Sequence, residues 1–398
     1  MAKLMNFFEV CFILFEVTSF GKASRSGLPS FDSFVAIHGR SFAPGSDEHI
    51  MRQELYNQRV QDVIRHNQHP ERLWSATVNV FSDRTDAELA ALRGWRGVAS
   101  SDSSQHIVHR LRKRSGMFLG QSTAEVLPEE KHWNHLNATN SDPDQGMCGS
   151  CWAVASSLVL QAGAEINGIR RTFSVQELVS CVANPHHCGG TGGCSGATVE
   201  LAMQYVADHG LRTDEDWPYY ASDDGGPGNS CPSGSFLQTS GSIEDITATG
   251  VHSSEGRSST GLIAWEKLPP NKYEPLLHAL VKHGPVAVSV AAKDWFNYDG
   301  GIFNQCGKDA VVDHAVTMIG YGKDRQNKYW TIKNSWGKEW GETGTIRLLR
   351  RDDDDTEQCG VDRQPEVGTA CDGGPKEVPV CGMCGVLFDS VVPHFSSR

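Results

Sequence analysis

The chain is 398 residues long, with 39% hydrophobic, 21% charged and 9% aromatic residues. That mix excludes wholesale disorder and collagen-like sequence. Its longest uncharged apolar run, Val10 to Phe15, is too short to span a bilayer, so no integral membrane segment is expected. The length suggests two or three domains. The net charge of −12 is uneven: residues 1–114 carry +3 and residues 115–398 carry −15. A basic front segment and an acidic body attract each other, and the acidic body argues against nucleic acid as a partner. Twelve cysteines and one sequon, Asn137-Ala138-Thr139, point to an oxidising, secretory-pathway compartment. Cytosolic metal binding is the rival use for the cysteines.

In chain order, residues 1–24 read as a signal peptide with Lys3 as its basic start, an apolar Phe7–Val17 interrupted by Glu9 and Glu16, and a cleavage near Ala23. A soluble extension is the alternative. Residues 47–67 place Ile50, Leu55, Tyr56, Val60, Val63 and Ile64 largely at helical spacing. TVNVFSD at 77–83 reads as a short strand, and DAELAALRGW from Asp86 as another helix. A serine-rich stretch at 97–108 leads to the basic run His109–Arg114, suited to proteolytic processing or to a solvated linker. From Leu127 onward cysteine, glycine and tryptophan become dense. Asp223–Pro232 and Ser253–Thr260 read as surface loops, and the acidic run Asp352–Asp355 as a solvated loop between strands.

The chemistry concentrates in three places. In Asp144-Gln145-Gly146-Met147-Cys148-Gly149-Ser150-Cys151-Trp152-Ala153, followed by VASSLVLQAGAEI, a buried helix begins near Cys151. A helix N-terminus favours thiolate, the nucleophilic form of cysteine. The two-cysteine spacing also suits a zinc half-site, a redox pair or a disulfide partner. Val312-Asp313-His314-Ala315-Val316 runs into a strand and supplies an imidazole able to exchange a proton with Cys151. Tyr329 to Lys333 alternate as a strand that delivers Asn334, whose amide oxygen can fix the imidazole, with Trp336 to shield that bond from water.

Taken in the order Gln, Cys, His, Asn, these residues make the chain resemble the papain-like cysteine peptidases, the cathepsin L-like branch in particular; GSCWA, DHAV and NSWG all stand intact. His314 and Asn334 follow Cys151 by 163 and 183 residues, more than the roughly 130–150 usual for the family, and insertions such as 186–193 and 252–266 account for the excess. Residues 48–67 resemble the family's inhibitory propeptide helix through Glu48, Arg52, Tyr56, Val63 and Asn67, with Arg59 standing where the family has asparagine. Asn79, Phe81 and Asp83 resemble the second propeptide motif, with Thr77 in place of its first glycine.

The resemblance implies an α+β, papain-like two-lobed fold: a helical lobe, an antiparallel β barrel-like lobe and a cleft between them, preceded by a mostly helical propeptide. It divides the chain into a signal peptide (1–24), an inhibitory propeptide (25–114), a processing linker (115–126) and a peptidase domain (127–398). It implies an endopeptidase zymogen that acts on protein or peptide substrates through Cys151, His314, Asn334 and Gln145. The chain's own propeptide, lying backwards along the cleft, would be the intramolecular inhibitor. A monomer is expected, with no metal or organic cofactor, in the secretory pathway on its way to a lysosome or vacuole or outside the cell. Gly196, Ala197 (where the family has glycine), Thr198, Val199, Ser289, Val312, Asp313, Ala315, Trp336 and Gln364, which stands five residues after Cys359, would bind substrate. The resemblance pairs Cys148 with Cys194, Cys181 with Cys231 and Cys306 with Cys359. It leaves Cys188, Cys371, Cys381 and Cys384 for two extra disulfides, or Cys381 and Cys384 for a metal or redox pair. His186-His187 belongs to a surface loop, and Asn137 is the glycosylation site. The two rival functions are peptide-joining acyl transfer at the same site and a catalytically silent binding protein. Protonation of His38, His49, His66, His69, His106 and His109 is a candidate trigger for propeptide release.

Overall fold

The computed structural model describes residues 27–94, 127–220, 231 and 260–395. The leader-like stretch, the serine-rich and basic segment with His106 and His109, and most of the two low-complexity loops lie outside these. In chain order the elements are α1 (Phe31–Ile37), α2 (Asp47–Asn67), β1 (Trp74–Ala76), α3 (Asp86–Ala91), β2 (Lys131–His132), α4 (Cys151–Ile166), α5 (Val175–Cys181), α6 (Val199–His209), β3 (Leu262–Lys267), α7 (Tyr273–Lys282), β4 (Val286–Val290), β5 (Tyr298–Phe303), β6 (His314–Asp324), β7 (Asn327–Lys333), β8 (Thr345–Arg350), β9 (Cys359–Asp362), β10 (Val378–Cys381) and β11 (Asp389–Phe395).

The front segment folds around α2. The Ser46 hydroxyl accepts from the His49 N–H and starts the helix. Tyr56 packs with Phe31 and Phe34 of α1. Arg52 reaches Glu88 of α3 at 2.5 Å, and Arg40 pairs with Asp83 at 2.9 Å. Thr85 and Glu88 close a reciprocal capping box at the start of α3. Arg59, the departure from the family pattern, donates to the Arg84 carbonyl at 3.3 Å and so ties α2 to the approach of α3.

The strand expected at 77–83 is displaced. β1 is Trp74–Ala76, and Asn79 to Asp83 form a turn in which Asn79 Oδ1 accepts from the Phe81 N–H and Ser82 Oγ from the Asn79 N–H. Short polar side chains that bond nearby backbone compete with a strand ladder. β1 adds itself to the edge of the main sheet, antiparallel to β5 with Trp74 opposite Gly301.

That sheet runs β1-β5-β8-β7-β6-β4-β11-β3, with β2 also on β6. Its pairs are antiparallel apart from β5 with β8. β3 takes up part of the segment read as an insertion at 252–266 and forms the edge beside β11. On the other side of the cleft α4, α5 and α6 share a core with Ala287, Ala315 and Val391 of the sheet. The acidic run is exposed, with Asp352 on Lys328 and Asp354 on Lys272.

Five disulfides join the described cysteines. Cys148–Cys194 and Cys181–Cys231 are present, and Cys188 joins Cys371. Cys306, however, bonds Cys384 and not Cys359, which closes on Cys381. The reason is topological. β9 and β10 form a separate two-stranded hairpin stapled at its base by the exposed Cys359, and the chain regains the core at Met383 and Cys384, the latter fully buried beside Trp295. Cys381 and Cys384 therefore form no metal or redox pair with each other. Non-reducing peptide mapping should recover Cys306 linked to Cys384 and Cys359 linked to Cys381. Opening the first linkage by paired serine substitution should lower stability by ~4 kcal/mol, from its 78-residue separation, and more than opening the second, whose separation is 22 residues. A Cys306–Cys359 peptide would contradict this arrangement.

Candidate active site

α4 is uncharged until its last turn and is buried along nearly its whole length, so its N-terminal end is fixed by packing. Ser150 caps no amide with its side chain; its hydroxyl instead bonds the Tyr219 hydroxyl at 2.6 Å. Cys151, the first helical residue, is buried and is the one free cysteine among the described residues. His314 opens β6 opposite Val290 of β4. Its Nε2 lies 2.8 Å from Asn334 Oδ1, just past the end of β7. The Ser335 N–H donates to the same amide oxygen at 2.8 Å and holds the Asn334 side chain in place. The Trp336 ring covers this pair, 5.0 Å from the imidazole centroid and tilted 29°.

Gln145 is fully buried. Its Oε1 accepts from the Ser335 hydroxyl at 2.5 Å, which aims Nε2 into the site. That Nε2 donates to the Cys148 carbonyl at 2.8 Å and to the carbonyl of Leu92, in the front segment, at 2.7 Å. The front segment therefore enters the site. Phe81 packs edge-on against both Phe296 and Trp336, and the Asn79 amide donates to the Phe296 carbonyl at 2.6 Å. Arg93 Nη1 lies 3.2 Å from Asp313 Oδ2. Gly94 Cα stands 2.8 Å from where a Cβ on Gly149 would be, two residues before the cysteine.

Burial sets the charge state. The Cys151 thiol is pushed up to about 11, because desolvation outweighs the backbone N–H groups that favour thiolate. His314 is driven down to about 4 by burial, with the Asn334 bond opposing and the Arg93 guanidinium adding to the fall. Under the front segment burial thus favours the uncharged form of both groups, against the pull of the helix N-terminus toward thiolate. Asp313 is raised to about 6 by burial against the pull of Arg93.

Cys151 and His314 line one cavity together with Gly196, Ala197, Thr198, Val199, Ser289, Asp313 and Ala315, seven of the ten residues expected to bind substrate. Val312 stands behind the wall, fully buried, with its N–H on Asp362. Trp336 lies beyond the imidazole, on the side where the front segment docks. Gln364 is exposed and is not part of the cavity wall. Its assignment failed with the cysteine it was counted from: five residues after Cys384, the true partner of Cys306, stands Asp389. The Ser289 hydroxyl on the cavity wall donates to Asp389 at 2.6 Å, and Lys267 lies 2.6 Å from Asp389 and 2.7 Å from Glu200. Gly189, Gly368, Arg93 and Gly94 also line the cavity and were not singled out in the sequence.

The profile of the papain family cysteine proteases matches residues 127–369. The chain belongs to that family. Among curated relatives, the cathepsin L-like proteinase of Phaedon cochleariae is 28% identical over 336 residues, 83% of this chain and 90% of the relative. The thiol protease SEN102 of Hemerocallis is also 28% identical, over 83% of each chain. The structure of digestive procathepsin L 3 from the larval midgut of Tenebrio molitor superposes with a TM-score of 0.64 at 25% identity, covering 92% of this chain and 97% of that one. The fold is thus that of a papain-like proenzyme, with the front segment in the propeptide's place. In this papain-family zymogen, alkylation of Cys151 at neutral pH should be slow, since a thiol near 11 is about one part in ten thousand thiolate. Removal of the propeptide should speed alkylation at least ~100-fold, read by mass spectrometry; equal rates before and after would refute burial as the restraint.

Proposed function

We propose that this zymogen, once its propeptide is removed, hydrolyses peptide bonds through Cys151 and His314, and that residues 25–114 inhibit it until then, ahead of a processing linker at 115–126 and a peptidase domain at 127–398. The observation that carries this reading is the Leu92 carbonyl on the Gln145 side-chain amide. A peptide carbonyl already occupies the donor that would polarise a scissile carbonyl. From Leu92 to Gly94 the propeptide passes from Gln145 toward Gly196, whereas a substrate with its acyl side on Gly196 would run the opposite way. The reversed direction supports blockade without cleavage.

Uncovering the site removes both the desolvation and Arg93, so the thiol falls, the imidazole rises and the proton passes from sulfur to ring. The thiolate attacks the substrate carbonyl carbon, forming the C–S bond while the carbonyl becomes an oxyanion held by the Cys151 N–H and Gln145 Nε2. Collapse breaks the C–N bond, and His314 protonates the departing amine. The neutral imidazole then takes a proton from water, which attacks the thioester and returns the sulfur as thiolate. Asn334 orients the ring throughout. Gln145→Ala should lower kcat by ~100–1,000-fold with KM little changed. A thiol-directed epoxide should label the processed wild type at Cys151 and leave Cys151→Ala unlabelled. Peptide products joined to an added amine in place of hydrolysed ones would favour acyl transfer instead, and a processed protein neither labelled nor active would favour a binding role.

Five disulfides support a route through the secretory pathway toward a lysosome, a vacuole or the exterior. Asn137 remains the proposed glycan site; its side chain is exposed and donates to Glu165 at 2.7 Å.

Acid is the proposed trigger for release. Burial raises Glu88, but its bonds to Arg52 and Thr85 win and hold it down at about 2. Its contribution is complete above the ordinary value of 4.5 and is lost as pH falls toward 2. His38 and His66 are lowered chiefly by burial, so the stability of their neutral forms is complete above about pH 6.5 and declines as pH falls below it. Glu88→Gln, which uncouples Arg52 at a cost of ~1–2 kcal/mol, should shift processing of the purified zymogen to higher pH. A processing profile that coincides with wild type would remove Glu88 from the trigger.

A further inference from the structure

Cys188 and Cys371, unlike the other bonded pairs, join the two sides of the cleft. Cys188 stands in the loop between α5 and α6, on the helical side, and Cys371 in the loop between β9 and β10, on the sheet side. Three further links accompany the disulfide. The Gly189 N–H donates to the Ala370 carbonyl at 3.0 Å, the Asp372 N–H donates to the His186 carbonyl at 2.9 Å, and His187 Nδ1 lies 2.9 Å from an Asp372 carboxylate oxygen.

The place of this bridge is set by two glycines. Gly189 and Gly368 both line the catalytic cavity, and a Cβ on Gly189 would stand 2.6 Å from the Gly368 carbonyl and 3.2 Å from that of Ala197. A Cβ on Gly368 would strike the Val312 carbonyl. Each loop therefore presses backbone against backbone, and nothing larger than glycine fits. Along the groove floor, Gly196 is flanked by two carbonyls: that of Gly94, which marks the propeptide's path beside Cys151, and that of Gly189. The bridge thus begins beside the same point of the groove floor. It also takes up a main-chain group, because the Gly192 N–H donates to the Gly196 carbonyl at 2.7 Å. Among the described residues no disulfide spans the other end of the cleft, at Gln145 and Trp336, where the front segment docks.

We propose that this disulfide-held strap closes the acyl side of the cleft a short way, about two residues, from the scissile bond, so that the processed enzyme cuts close to a free peptide N-terminus and not inside long chains. This rests on the reading of Cys151 as the nucleophile and narrows the endopeptidase expectation. Hydrogen bonds alone would let the two loops part as the lobes breathe; a covalent link between them does not. A longer acyl segment would have to thread beneath a closed ring. The leaving side has no such limit.

The test uses processed wild-type enzyme and fluorogenic peptides sharing the two residues before the scissile bond, extended toward the N-terminus by none, one, two or four residues. We expect kcat/KM to fall at least ~10-fold once the extension passes one or two residues, and the Cys188→Ser, Cys371→Ser double variant to recover the longer substrates. Wild-type turnover that is flat or rising across the series overturns the strap and leaves the proposed hydrolysis standing. Failure to cleave any member, together with failure of a thiol-directed epoxide to label Cys151, overturns both. The wild-type series decides the matter even if the double variant does not fold.

Discussion

The molecule depends on the seating of α4 against the sheet. Thirteen of its sixteen residues are buried, and Ala153, Ala155, Val159, Leu160 and Ala164 share one core with Ala287, Ala315 and Val391. Alanines on the sheet let the helix approach closely, and Gly163 leaves room for the Phe395 ring. This apolar contact carries Cys151 to the strand whose first residue is His314. The register of β6 then decides the chemistry. Val290 faces His314 and Ser289 faces Ala315, and a slip of one residue would turn the imidazole to the opposite face. Cys151 and His314 are thus held by hydrophobic packing and strand pairing, with the Asn334 bond only orienting the ring.

Magnitudes show why burial favours a neutral pair in the covered site. The N-terminus of a helix is worth ~0.3–1 kcal/mol to a charge near it, and up to ~2 in favourable geometry. Raising a thiol from 9.0 to about 11 corresponds to roughly 3 kcal/mol against thiolate. Desolvation wins, and the positive guanidinium of Arg93 works against an imidazolium in the same space. The front segment therefore meets the site in two ways with one stretch of backbone: the Leu92 carbonyl takes the Gln145 donor, and the burial it imposes favours the uncharged forms of Cys151 and His314. On the proposed release of this segment, returning water would reverse both together.

The parts legible in the sequence were those in which chemistry and local pattern coincide. The residues Gln145, Cys151, His314 and Asn334 sit in motifs whose neighbours also build the helix or strand that carries them, and the structure brings them to one site. The helix at 47–67 was legible from its apolar spacing, and the structure adds a Ser46 cap and an acidic first turn that agree with it. What failed were inferences that counted along the chain. The strand at 77–83 moved to Trp74–Ala76 because Asn79 and Ser82 bond their own backbone. Pairing Cys306 with Cys359 failed because nothing local distinguishes Cys359 from Cys384; only the burial of Cys384 beside Trp295 does. Gln364 inherited that error, and Asp389, which shares Lys267 with Glu200, was missed with it. The resulting cluster has two carboxylates for one ammonium, and burial, followed by the nearby Asp389 charge, raises Glu200.

The segment that misled the count is also the one that reaches across the cleft to Cys188. Between β8 and Cys384 the chain leaves the sheet, forms the β9–β10 hairpin and returns. The hairpin is anchored at its root: Asn271 accepts from the Cys381 N–H at 2.8 Å and donates to the Pro379 carbonyl at 2.8 Å, and Cys359–Cys381 staples its two strands. Asp362, at the end of β9, accepts from the N–H groups of Val312 and Gln364, so the take-off point of the strap is bonded to the chain two residues before His314. A loop fixed at its root beside His314 and at its tip by a disulfide to the opposite lobe cannot swing clear as a free surface loop would. The cost of ordering it is met by the disulfides, which restrict the unfolded chain, and by glycines that let backbones meet where side chains would collide. Both features sit beside the cavity that Cys151 lines, which is where the proposed strap would limit what the groove can hold.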